Sequence, residues 1–159
     1  MSTIVILYVA ILVAVAALLL GAYRVLGTPS RLAPTDYTTV LTDVIDSVGR
    51  SARQLREALD SGTDAPRLEQ VAAETRKIFQ TGYYQALRLR PASGGDAAVS
   101  IRQVIGMGCE AYDWASRMIG SSSARNPVIL EEARRLLDAG DRQLGQAARE
   151  LALKTPAAT

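Results

Sequence analysis

Apolar positions in this chain follow two regimes. From Ile4 to Tyr23 they run almost unbroken through Ile, Val, Leu and Ala, and no Lys, Arg, Asp or Glu occurs between Met1 and Tyr23. Rising about 1.5 Å per residue as a helix, such a run crosses the roughly 30 Å hydrocarbon layer of a bilayer. It predicts a transmembrane helix, with Tyr8 and Tyr23 toward its two ends, where an aromatic ring with a polar tip sits between lipid and water. Gly27, Pro29 and Pro34 then end it.

Past Pro34 the spacing changes to the three-four rhythm of helices with one buried face. Tyr37, Val40, Leu41, Val44, Ile45, Val48, Ala52, Leu55 and Leu59 set out a first helix between Asp36 and Ser61, with Thr35 or Asp36 as cap and Gly62 as stop. Asp64 and Pro66 start a second, carrying Leu68, Val71, Ala72, Ile78, Phe79, Gly82, Tyr83 and Ala86 until Pro91. After the turn at Ser93 to Gly95, Asp96 caps a third with Ala98, Ile101, Ile105, Gly108, Tyr112, Ala115 and Ile119. Asn126 and Pro127 open a fourth with Ile129, Ala133, Leu136, Leu137, Leu144 and Leu151. Similar lengths and short polar joints predict an antiparallel four-helix bundle. A pair of helical hairpins pressed on a larger partner fits the same pattern. No stretch alternates with a period of two, and no unit repeats at a fixed interval. The expected organisation is a transmembrane anchor over 1–27, a juxtamembrane linker over 28–35, a helical bundle over 36–154 and a flexible tail over 155–159, all-α throughout. Glycines 49, 82, 106, 108, 140 and 145 each cost about 1 kcal/mol inside a helix, so they belong where helices cross closely or bend.

Composition then removes chemistry. The 159 residues contain no histidine and one cysteine, Cys109. Histidine acid/base catalysis, histidine metal ligation, an internal disulfide and cysteine zinc clusters are excluded. A net charge of +2 is not that of a nucleic-acid binder. Both signs are mixed along each predicted helix. Acid-before-base pairs at four-residue spacing, such as Asp46 with Arg50, Asp113 with Arg117, Glu131 with Arg135 and Asp138 with Arg142, mark solvated faces. Arg76 with Lys77, and Arg88 with Arg90, could touch anionic lipid headgroups, but both pairs read first as solvated faces too.

A cleaved secretory signal would need a positive leader, a shorter apolar run and a small-residue cleavage site; here the run is long and only the terminal amine precedes it. Arg24 and Arg31 flank it on the C-terminal side alone. Under the positive-inside bias these topology determinants place the body in the cytoplasm and the N-terminus outside the plasma membrane. Along the anchor, Ala10, Ala14, Ala17 and Gly21 form one stripe of small side chains. Ala17 and Gly21 have the small-xxx-small spacing that lets membrane helices pack closely, so the stripe is a candidate helix-packing interface.

Three constellations resemble chemical sites and fail on context. Gly106, Gly108 and Ala111 have the spacing of a dinucleotide loop, but that loop follows a strand, and none is predicted. Cys109 has Glu110 beside it and no histidine to activate it, which makes it a small buried side chain. Glu69, Glu110 and Glu131 could enter a di-metal bundle site only with the Glu-x-x-His pairs that this chain lacks. No catalytic residue, cofactor, metal or small-molecule substrate is expected.

The anchor MSTIVILYVAILVAVAALLLGAYRVLG followed by an alanine- and arginine-rich helical body resembles the small single-pass membrane proteins of actinobacteria, some of them accessory subunits of the respiratory supercomplex of cytochrome bc and cytochrome c oxidase. The resemblance implies a non-catalytic accessory or assembly subunit with integral membrane proteins and membrane lipid as partners. The alternative is a membrane-tethered adaptor whose bundle recruits a soluble partner.

Overall fold

The computed structural model describes residues 13–19, 31–32, 34–91, 96–121 and 126–154. The chain divides into two compact units, Met1–Ser30 and Arg31–Thr159. In the first, residues 13–19 are helical (α1), and Val13, Val15, Leu18 and Leu19 are all exposed. Among the described residues no helix is long and apolar enough to cross a membrane. Most of the expected span from Ile4 to Tyr23 lies outside the described residues, as do residues 28–30 of the linker and the tail over 155–159.

The second unit is an all-α bundle of α2 (Pro34–Asp60), α3 (Ala65–Arg88), α4 (Asp96–Ile119) and α5 (Pro127–Lys154). Neighbours run antiparallel. Position 82 on α3 meets Val48 and Val44 on α2, Gln80 meets Asp113 on α4, and Gly108 meets Leu144 on α5. Arg56 and Asp60 of α2 reach Asp141 and Arg134 of α5, which closes the ring of four. The α2–α3 joint turns at Gly62, whose φ of +67° is a left-handed conformation that a side chain would disfavour. At the start of α5 the Val128 amide donates to Asn126 Oδ1 at 2.9 Å, a side-chain cap on an otherwise unpaired N–H.

The apolar stripes read from the sequence point inward. Leu41, Leu55, Phe79, Ile105, Ala115 and Leu137 have no exposed surface, and Ile101, Tyr112 and Ile119 retain 1%. Three buried polar side chains, Ser51, Thr75 and Ser116, donate back to carbonyls of their own helices, so burial leaves them satisfied.

Several expectations need correction. Ile78 is 37% exposed, because Phe79 turns fully inward and places its neighbour off the buried face. The first bundle helix begins at Pro34, so Thr35 and Asp36 lie inside its first turn and do not cap it. Asp64 occupies the position before α3 without a side-chain cap bond; it contributes its carbonyl, which accepts from the Leu68 amide at 2.9 Å. The expected linker is partly structured: β1 (Arg31–Leu32) pairs in parallel with β2 (Arg90–Pro91), Arg31 opposite Arg90. Two residues are too few for any alternation to show in sequence.

Candidate docking groove

A groove of about 340 Å³ runs between α3 and α4. Phe79 and Cys109 form its floor, both fully buried. The Phe79 ring stacks on Tyr112 beneath it, centroids 5.2 Å apart and planes 28° apart. Burial pushes the Cys109 thiol up to about 12, so it stays protonated at neutral pH and is no nucleophile. One wall is a short polar chain. Asp113 accepts from Gln80 Nε2 at 3.0 Å through one oxygen and from Arg117 Nε at 2.8 Å through the other. The Arg117 guanidinium also lies 5.4 Å from the centre of the Trp114 ring, a cation–π contact that braces an indole standing in solvent.

The rim carries large apolar side chains that the fold does not use. Trp114 is 52% exposed and Tyr84 63%. Tyr83 packs edge-on against Tyr84, ring centres 5.6 Å apart. Met107, Glu110 and Trp114 follow each other at three and four residues, one face of α4, as Gln80, Tyr84 and Leu87 do on α3. Trp, Tyr and Arg around a groove are among the residue types enriched where proteins bind proteins. Sequence reasoning passed over this face because it followed only the buried stripe. Its signal was nonetheless present: the chain's sole tryptophan, Trp114, falls off that stripe.

A second polar cluster joins α2, α4 and α5. Tyr112 Oη donates to Asp141 Oδ1 at 2.6 Å, while Arg56 Nη2 donates to Asp141 Oδ2 at 2.7 Å and Asp138 Oδ1 at 3.0 Å. Burial first, and the bond to the Asp141 carboxylate second, hold the Tyr112 hydroxyl well above its ordinary range. Protonated tyrosine, paired carboxylates and an arginine leave no free acid or base, and the cluster serves as a clasp between helices.

Of the residues singled out in the sequence, Ala14 and Ala17 are helical and exposed, while Ala10, Gly21 and Arg24 lie outside the described residues. Arg31 is placed by its backbone in β1. Gly106, Gly108 and Ala111 are in the middle of α4, where no phosphate-binding loop can form. Glu69, Glu110 and Glu131 are exposed, and Glu110 lies on the groove. Among the described residues no group of His, Cys, Asp or Glu could hold a metal ion. Asp113 and Arg117 form the predicted helix pair, and Glu131 lies 3.7 Å from Arg135, whereas Asp138 turns away from Arg142 to Arg56 on another helix. No protein-family model, no curated protein and no solved structure matches the chain.

Proposed function

We propose that this protein is a membrane-tethered docking subunit without catalytic activity, in which an anchor over residues 1–27 fixes a cytoplasmic four-helix bundle to the plasma membrane. The bundle then binds a partner through the α3–α4 groove. The observation that carries this reading is Trp114, half exposed and braced by Arg117 on a groove that exposed Tyr84 also lines. A large exposed aromatic gains nothing for folding, but it contributes strongly when a partner covers it. The charge-free run from Met1 to Tyr23 supports the tether, and Arg24 and Arg31 support a cytoplasmic body. In this reading the chain is an accessory or assembly subunit of an integral membrane complex, such as the respiratory supercomplex, some of whose small single-pass subunits share its plan of anchor and helical body. The stripe of Ala10, Ala14, Ala17 and Gly21 packs on the partner's membrane helices.

The adaptor reading keeps tether and groove and assigns the anchor no packing role; it is favoured by the groove's lying on the bundle. Co-purification from gently solubilised membranes separates the two. With leucine at Ala17 or Gly21, an accessory subunit reaches the membrane yet leaves the complex, while leucine at Ala16, off the stripe, changes nothing. Full retention of both stripe variants rejects the packing role. Alkaline phosphatase activity from a fusion after Thr159 would reject the cytoplasmic orientation.

A further inference from the structure

The groove between α3 and α4 carries an unbalanced negative charge. Among the described residues lining it, the carboxylates are Glu110 and Asp113 and the cation is Arg117. Asp113 takes up the Arg117 charge, accepting from Nε at 2.8 Å through Oδ2, while Gln80 Nε2 holds its other oxygen at 3.0 Å. Glu110 is left over: it is exposed, and its side chain makes no ion pair or hydrogen bond among the described residues. Aromatic rings stand around that carboxylate. Trp114 follows it one turn later on the same face of α4. The antiparallel course that sets Gln80 against Asp113 brings Tyr83 and Tyr84 of α3 to the level of Glu110. Tyr83 rests across Gly106, its Cε2 3.7 Å from where a Cβ would stand, and Tyr84 meets it edge-on.

We infer that the α3–α4 groove receives a lysine or arginine side chain of a partner polypeptide, which rests on the docking reading above and names the chemistry of what docks. The aliphatic stem of such a side chain lies along the exposed rings of Tyr84 and Trp114, and its charged head meets Glu110. Two attractions then act on one head group, because aromatic faces draw a cation lying within about 6 Å of their centres and the carboxylate supplies a charge-assisted hydrogen bond. Arg117 already shows that the indole takes a guanidinium, 5.4 Å from the ring centre, and 52% of Trp114 remains exposed beyond that contact. Other occupants fit less well. An acidic or phosphorylated segment meets Glu110 with like charge. A purely apolar segment would cover Glu110 and leave its carboxylate without a partner, which costs more than the apolar contact returns.

The test uses the full chain in dodecyl maltoside, a detergent without charge. Trp114 is the sole tryptophan, so its indole N–H gives one nuclear magnetic resonance signal that reports on the groove directly. The probes are blocked tripeptides with alanine at both ends and lysine, arginine, glutamine or glutamate in the middle. The lysine and arginine peptides should shift the signal saturably and bind about fivefold more tightly than the glutamine peptide, with the glutamate peptide weakest. That preference should fall about fivefold in Glu110→Gln, while Glu57→Gln, which removes the same charge from an exposed position on α2 away from the groove, leaves it intact. Equal binding of the lysine, glutamine and glutamate peptides, or a lysine preference unchanged in Glu110→Gln, overturns the cation site and leaves the docking groove standing. No shift with any peptide also overturns the cation site. Partners then recovered undiminished with Trp114→Ala and Tyr84→Ala overturn the docking reading too, whereas their loss keeps it.

Discussion

Helix α4 meets its surroundings in two contrasting ways. On the side toward α5 the two helices lock into each other's glycine gaps: the Tyr112 ring of α4 occupies the space that a side chain on Gly140 would need, and Leu144 of α5 lies over Gly108. On the outer side Met107 and Trp114 stand in solvent, with the Arg117 guanidinium over the Trp114 ring. Both sides use bulky side chains, yet only the first gains from burying them, at about 25 cal/mol per Å² of apolar surface. The contrast separates residues kept for folding from those free to serve binding, and the two classes should respond oppositely to mutation.

The largest effect is expected at Gly140. A Cβ there would lie 2.5 Å from Tyr112 Cε1 and 2.6 Å from Cζ, and the ring cannot retreat because Asp141 holds its hydroxyl and Phe79 its face. Gly140→Ala should destabilise the bundle by roughly 2–3 kcal/mol in urea unfolding, although alanine favours helix. Gly145, five residues further along α5, has nothing nearer to its would-be Cβ than Arg149 Nη1 at 3.7 Å. The same substitution there should stabilise by up to about 1 kcal/mol. Equal signs at the two glycines would break the distinction between gap and open surface.

Alkaline pH gives the next effect. The buried Cys109 thiol is raised from 9.0 to about 12, and Tyr112 is raised above 10.0. The unfolded chain therefore releases these protons first, and the folded state binds more protons over this range. Stability fully present below about pH 9 should be lost as pH rises toward 12, by about 1.4 kcal/mol per pH unit for each such group. Tyr112→Phe should cost about 1–2 kcal/mol at neutral pH and reduce the slope above pH 10, measured by urea unfolding across pH.

The apolar rhythm located every bundle helix to within a few residues, because the buried stripes of Leu41 to Leu59 or Ile101 to Ile119 repeat over many turns. Of the six glycines expected where helices cross or bend, 82, 108 and 140 lie at close crossings, whereas 49, 106 and 145 have no neighbour nearer than 3.7 Å to a would-be Cβ. Pairings between helices were not legible: Arg56 with Asp138, or Tyr112 with Asp141, depends on how α2 and α4 rotate against α5, and the sequence showed Asp138 only with its own-helix neighbour Arg142. The groove was missed for a related reason. Trp114 and Tyr84 matter together because α3 and α4 are adjacent, and no spacing within a single helix encodes that.

The smallest stability effect carries the largest functional weight. Trp114→Ala together with Tyr84→Ala should leave unfolding within about 0.5 kcal/mol of the parent, since neither side chain is buried. The decisive measurement is the yield of stoichiometric membrane-protein partners recovered with this double variant from gently solubilised membranes, beside its urea midpoint. A folded variant that has lost its partners agrees with a docking groove between α3 and α4; a folded variant that keeps them all contradicts it.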